Sequence, residues 1–102
     1  MHTMVVRILC FALLLGLVSA PDAWADQRDQ AREQVNFGIQ VAQRGLWKEA
    51  IYRWERATQL APTYAAAFNN LAVAYEQSGQ LDKARAAYDK AIALEPNNQL
   101  IR

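Results

Sequence analysis

Residues 65–98 read AAAFNNLAVAYEQSGQLDKARAAYDKAIALEPNN, and the pattern is already present in residues 31–64, AREQVNFGIQVAQRGLWKEAIYRWERATQLAPTY. Agreement in small, aromatic and turn residues at one fixed offset indicates an internal repeat of 34 residues. The matched pairs are Asn36 with Asn70, Gly45 with Gly79, Trp47 with Leu81, Ala50 with Ala84, Trp54 with Tyr88, Ala57 with Ala91, Leu60 with Leu94 and Pro62 with Pro96.

Each unit contains two stretches with helical periodicity, separated by a glycine. In the second unit, Gly79 is suited to end a helix in the left-handed conformation, and Pro96 prevents the next helix from continuing. The sequence therefore predicts an all-α fold of two helical hairpins, with four main helices. The two apolar stripes of that unit are Phe68, Leu71, Ala72 and Tyr75, then Ala84, Tyr88, Ala91 and Leu94.

This pattern resembles the tetratricopeptide repeat family over residues 31–98. The second unit follows the family pattern almost completely, whereas the first departs from it at Gln34 and Val41, which replace aromatic residues. The resemblance implies a solenoid of helical hairpins. It also implies a non-enzymatic module that binds another protein through the concave face formed by the first helices.

The first 25 residues are expected to form a secretory signal peptide. Residues 8–18 are an apolar run, and Ala23 and Ala25 supply the small residues that a signal peptidase recognises. We expect cleavage after Ala25 and export to the periplasm or the exterior, which leaves a repeat domain over 26–102 with a short tail at 99–102. A retained membrane anchor is the alternative, although spanning a bilayer takes about twenty apolar residues.

The predicted mature chain offers little for catalysis. It has no His and no Cys, and its only Ser is Ser78. Nucleophilic catalysis usually requires a His base, and zinc or copper sites usually require His or Cys ligands. We therefore expect no enzyme, no metal and no cofactor. The net charge of +1 gives no excess of positive charge for nucleic acid.

The family resemblance assigns the partner-binding face to the first helix of each unit. Asn36 and Asn70 are the most informative pair there, because a carboxamide can both donate to and accept from the backbone of an extended peptide. The alternative is that these two side chains bond to neighbouring helices. Some members of the family grip a terminal carboxylate with lysines and asparagines, but Val35 and Ile39 occupy positions where that carboxylate clamp would need polar or basic groups, so the resemblance does not imply recognition of an acidic C-terminal peptide. The predicted face comprises Arg32, Val35, Asn36, Ile39 and Gln43 in unit one, and Ala66, Asn69, Asn70, Val73, Glu76 and Gln77 in unit two.

The second helices carry the remaining aromatic residues. Trp47 and Trp54, like their counterparts Leu81 and Tyr88, are expected to pack inside the hairpins, whereas Tyr52 is matched by Ala86 and is expected to be exposed. Two units leave apolar ends on the stack. A structural subunit that self-associates through its last helix is therefore the alternative function. The residues expected at that interface are Tyr88, Ile92, Leu100 and Ile101.

Overall fold

The computed structural model describes the backbone of residues 2–101 and the side chains of residues 23–101. Four α-helices follow one another along these residues, and no strand occurs among them. The all-α hairpin fold predicted from the sequence is confirmed. The helices are α1 (His2–Gln43), α2 (Trp47–Leu60), α3 (Ala65–Gln77) and α4 (Leu81–Leu94).

Helix α1 begins well before the first repeat. Its backbone runs through the predicted signal peptide and continues unbroken into the repeat, and most side chains of that peptide lie outside the described residues. Where side chains are described, no helix is both long and apolar enough to span a lipid bilayer. Cleavage after Ala25 stays a prediction.

Equivalent glycines close the two hairpins. Gly45 and Gly79 both have φ of +76°, a left-handed conformation that is strained for other residues. After the first glycine, the Leu46 amide donates to the carbonyl of Val41 at 3.1 Å, and Gln80 repeats this bond in unit two. These are Schellman motifs, which satisfy carbonyls at the helix C-terminus.

The four helices pack as a short curved stack. α1 packs on α2, α3 packs on α4, and α2 and α3 join the hairpins, while α1 also contacts α3. Within the described chain α2 and α4 do not contact each other. Because the first helices are in contact and the second helices diverge, α1 and α3 line the inner side of the curve.

The core is built mainly from alanines, around a few larger side chains. The hairpin alanines, which the two repeats share at the offset of 34, are buried, and Trp54 is only 3% exposed. Trp47 and Tyr88 are partly buried against this core. Small side chains let the helix backbones approach closely. The hairpin alanines are Ala50, Ala57, Ala84 and Ala91.

Leu81 does not occupy the interior position expected for it. Its side chain is 64% exposed, although its counterpart Trp47 packs against the core. The physical difference is that α3 covers α2, whereas no helix covers the far side of α4 within the described residues. Tyr52, expected to be exposed, is 59% exposed.

The tightest packing in unit one lies between Gly38 and Trp54. A Cβ atom built on Gly38 would lie 2.7 Å from the Cδ1 and Cε2 atoms of the indole ring, far inside van der Waals contact. The indole nitrogen donates to the carbonyl oxygen of Val35 at 3.0 Å. The indole therefore lies directly against the backbone of α1. At an offset of 34, unit two has Ala72 and Tyr88 instead of this pair.

Gly38→Ala should therefore lower the free energy of unfolding by about 1–3 kcal/mol, because the added methyl overlaps the indole. In a Trp54→Tyr background the same change should cost less, since unit two already combines Ala72 with Tyr88. Urea denaturation of the wild type, both single variants and the double variant gives the coupling free energy. An Ala variant more stable than wild type, as helix propensity alone would produce, would contradict the overlap.

A buried phenol joins the two hairpins. The Tyr75 hydroxyl on α3 donates to Oε1 of Glu55 on α2 at 2.7 Å, and the Tyr75 side chain is 9% exposed. Burial raises the pKa of Tyr75 from 10.0 to about 12, with the hydrogen bond and the negative charge of Glu55 adding to the rise. The protonated phenol is therefore the form that the fold stabilises.

This shift predicts an alkaline loss of stability. Below pH 10 Tyr75 is protonated in both the folded and the unfolded chain, so its contribution is complete. Between pH 10 and about 12 the unfolded chain ionises first, and stability falls. In Tyr75→Phe the free energy of unfolding, measured by denaturation across this range, should fall less steeply than in wild type. Tyr52→Phe, which removes an exposed phenol, is the control and should follow wild type; a Tyr75→Phe slope equal to wild type would contradict the assignment.

Candidate functional site

Four residues of α1 form an exposed stripe on the inner side of the stack. Arg32, Asn36, Ile39 and Gln43 follow one another at spacings of three and four residues, and all four are exposed. The Ile39 side chain is 39% exposed and is the apolar member of this otherwise polar stripe. The structure thus brings together four of the five residues predicted for this face in unit one.

Val35 requires a correction. It is 5% exposed and belongs to the hydrophobic core, so its side chain is not available to a partner. It lies about a sixth of a turn from the exposed stripe, on the side of the helix that also carries the buried Ala31. Its counterpart Asn69 is half-buried, and the Asn69 Oδ1 atom is buried with no hydrogen-bond partner among the described residues.

The corresponding face of α3 is less open than that of α1. Asn70 and Val73 are half-buried, whereas Glu76 and Gln77 at the end of the helix are exposed, as is Ala66 at its start. Sequence reasoning did not anticipate that the Tyr88 hydroxyl would donate to Oε2 of Glu76 at 3.0 Å. This bond ties one predicted site residue to α4.

The chain after α4 returns to α3. Leu100 and Ile101 border a cavity of about 180 Å³ whose other side is formed by the start of α3, including Asn69 and Asn70. Asn98 shapes the turn, because its side chain accepts the Leu100 amide at 2.9 Å and donates to Glu95 at 2.8 Å. The sequence predicted that the second helix ends at Pro96 and that a short tail follows, but not that this tail contacts the predicted site.

Asn36 and Asn70 lie on the first helices without internal hydrogen bonds from their side chains, as far as the described residues extend. The alternative was that these carboxamides bond to neighbouring helices, and no such hydrogen bond occurs among the described residues. Both groups therefore keep their donor and acceptor capacity for another molecule.

Metal ligands are sparse across the part of the chain that the structure describes. No group of three or more His, Cys, Asp or Glu side chains there is placed to hold a metal ion. The one ion pair among these residues joins Arg53 and Glu49 at 3.1 Å on α2, within a single helix and outside the predicted face.

Two models of one repeat family match this chain. Residues 65–98 match the tetratricopeptide repeat, and residues 40–79 match a TPR repeat model that crosses from unit one into unit two. The first match coincides with the second repeat defined by the 34-residue offset.

Three proteins are similar to this chain, and one of them is named for the same repeat. The tetratricopeptide repeat domain-containing protein PYG7, chloroplastic, of Arabidopsis thaliana is 31% identical over 87 residues, which is 84% of this chain and 29% of that protein. The uncharacterized protein ycf37 of Pyropia yezoensis is 46% identical over 46 residues, covering 45% of this chain and 26% of its own length. The protein CTR9 homolog of Arabidopsis thaliana is 33% identical over 85% of this chain and 7% of its own.

The chain thus spans less than a third of each of these relatives. The hairpin geometry, the paired Schellman turns and the two overlapping family matches agree with one another over residues 40–98. This chain carries tetratricopeptide repeats.

Proposed function

We propose that this chain is a non-enzymatic module that binds an extended segment of a partner protein along the inner face of α1 and α3, as an adaptor or assembly factor. Tetratricopeptide repeats generally mediate protein–protein interactions. The observation that carries the proposal is the pair of carboxamides, Asn36 and Asn70, 34 residues apart and without internal hydrogen bonds in the described chain.

The chemistry of this face suits a peptide backbone. An extended peptide presents alternating amide and carbonyl groups, and a carboxamide can satisfy one of each. Ile39 and Val73 add apolar contacts beside the asparagines, and Gln43 and Gln77 extend the polar face at the C-terminal ends of the helices. Val35 is left out of the proposed site because it is buried.

The face favours some partners over others. Arg32 is its only basic residue and Glu76 its only acidic one, so the proposed segment is neither strongly acidic nor strongly basic. Ile39 places an apolar side chain where a carboxylate clamp would need a polar one. Recognition of a terminal carboxylate is therefore not part of the proposal.

The double variant Asn36→Ala with Asn70→Ala tests this site. Neither side chain has a hydrogen-bond partner among the described residues, so the fold should be retained, and circular dichroism checks this. Affinity capture from the exported fraction, quantified by mass spectrometry, should recover the partner at least about tenfold less with this variant, since each lost hydrogen bond contributes about 1 kcal/mol. The control is Gln59→Ala with Asp89→Ala, two exposed positions on the second helices. If the wild type, the asparagine variant and the control variant are all folded and recover equal amounts of the partner, this site is ruled out.

A second candidate is a structural subunit that self-associates through α4 and has no peptide ligand. Leu81 is 64% and Ile92 is 43% exposed on the side of α4 that no described helix covers, and Leu100 in the tail is 84% exposed. The oligomeric state of the same three proteins, measured by sedimentation at micromolar concentration, distinguishes the two functions. A dimer whose formation the asparagine variant leaves intact, together with unchanged capture, favours the structural subunit.

We also propose that the chain is exported, with cleavage of the signal peptide after Ala25. Apart from the sequence of the leader, the supporting observation is that Trp24 is 72% exposed and borders a groove against the α2–α3 turn, so its removal opens no core. The chloroplast location in the name of PYG7 is a property of that protein and is not extended to this chain.

Intact-mass measurement of the protein from exporting cells tests the cleavage. The expected chain begins at Asp26, because Ala23 and Ala25 meet the small-residue requirement of the peptidase. Ala25→Phe should abolish that product, whereas Gln27→Ala, beyond the cut, should not. A wild-type mass that still includes Met1 would support a retained anchor instead.

A further inference from the structure

Unit two contains an open apolar groove between α3 and α4. Its volume is about 340 Å³, and its floor is formed by Phe68, Leu71 and Tyr75 of α3 with Ala86 and Ala87 of α4. The α3 floor residues lie about half a turn from Asn70 and Val73, so the groove is on the opposite side of α3 from the proposed peptide face. The groove is therefore part of neither the proposed peptide face nor the apolar surface of α4 proposed for self-association.

The equivalent place in unit one is filled by the protein itself. At the offset of 34, Ala86 and Ala87 correspond to Tyr52 and Arg53, and Leu71 corresponds to Phe37. The guanidinium carbon of Arg53 lies 4.4 Å from the centre of the Phe37 ring and 5.5 Å from that of Tyr52. In unit two, two alanines stand where unit one has Tyr and Arg, and they line the open groove.

Two lysines give this groove its charge. Lys83 Nζ lies 5.7 Å from the centre of the Tyr75 ring, and Lys90 Nζ lies 5.9 Å from that of Phe68. Both lysines line the groove, and no acidic residue of the described chain does. Glu55 is the acid in direct contact with the floor, and it already accepts the Tyr75 hydroxyl. In unit one, the position of Lys83 is taken by Glu49, which pairs with Arg53.

The spacing of the lysines suggests the form of the ligand. Lys83 and Lys90 are seven residues apart on one helix face, or about 10.5 Å along its axis. A second helix laid along the groove presents carboxylates at the same separation when they are seven residues apart, with apolar side chains between them at i+3 and i+4.

We propose that this groove binds an acidic amphipathic helix of a partner protein. The apolar side chains of that helix lie on Phe68, Leu71 and the two alanines, and its carboxylates face Lys83 and Lys90. The complementary charge aligns the ligand along α4 and speeds its association. The site is independent of the peptide face, so failure of one leaves the other standing.

The test uses the full chain and a fluorescein-labelled peptide of about 14 residues, with glutamates seven residues apart flanking leucines at i+3 and i+4. Fluorescence anisotropy should show saturable binding that weakens as salt is added. Lys83→Glu with Lys90→Glu should weaken it at least about tenfold, because like charges then face each other. Lys83→Glu alone and Arg85→Glu are the matched pair: each reverses one charge on α4, but Arg85 lies about half a turn from Lys83, so Arg85→Glu should change affinity less than about twofold and less than Lys83→Glu does.

A steric variant tests the groove without a change of charge. Ala86→Tyr introduces the residue of unit one at an exposed position, so the fold should tolerate it, and binding should be lost. When the peptide is added to the wild type, the NMR chemical shifts of the backbone amides around Ala86 and Ala87 should change. The proposal would be overturned if the acidic peptide did not bind, or if a version with lysines in place of glutamates bound equally well. It would also be overturned if the lysine variant kept the affinity of the wild type, or if the chemical-shift changes were confined to α1 and the Asn70 face. Concentration-dependent dimerisation that Ala86→Tyr abolishes would overturn it as well, because the groove would then be an interface between two copies.

Discussion

The close approach of helix backbones is the constraint on which the rest of this small structure depends. Most of the buried core residues are alanines, and Trp54 is among the few large side chains that are almost completely buried. Its indole fits only because Gly38 has no side chain, and its nitrogen is satisfied by the backbone carbonyl of Val35. A buried indole without that acceptor would carry an unsatisfied donor. Ring, glycine and carbonyl therefore act together to set the spacing of α1 and α2.

The link between the hairpins is of a different kind. Tyr75 reaches from α3 to Glu55 on α2, so a buried phenol and a carboxylate connect one unit to the next. In a repeat protein the interface between neighbours contributes much of the stability, and a short array has few such interfaces. This bond also places Tyr75 so that its ring forms part of the floor of the groove in unit two.

Helix α3 separates two surfaces of different chemistry. Its inner face carries Asn70 and Val73, whereas its opposite face contributes Phe68 and Leu71 to a groove bordered by lysines. The two units share a backbone pattern but differ at the positions that fill or empty the space between their helices. Such differences between repeats offer a route to distinct binding surfaces within one regular fold.

The helices and hairpins could be predicted from the sequence because a repeat shows the same local requirement at two places in the chain. Glycines at equivalent turns, prolines after the second helices and alanines at fixed places are local requirements of backbone geometry, so hairpins and helices could be read from the pattern. The burial of Trp54 and the exposure of Tyr52 were predicted because the other unit showed which position required an aromatic ring. The family matches confirm the repeats themselves.

By itself, then, the sequence determined the helices, their pairing into hairpins and the turns that join them, since these depend on neighbours along the chain. Tertiary structure decided which surface residues are accessible. Val35 turns into the core although it lies beside the exposed stripe, and Leu81 is exposed because no described helix covers the side of α4 that faces away from α3. The groove in unit two exists only where two separate helices leave space between small side chains. Its presence depends on how the helices pack together in three dimensions, which the periodicity of each helix alone does not specify.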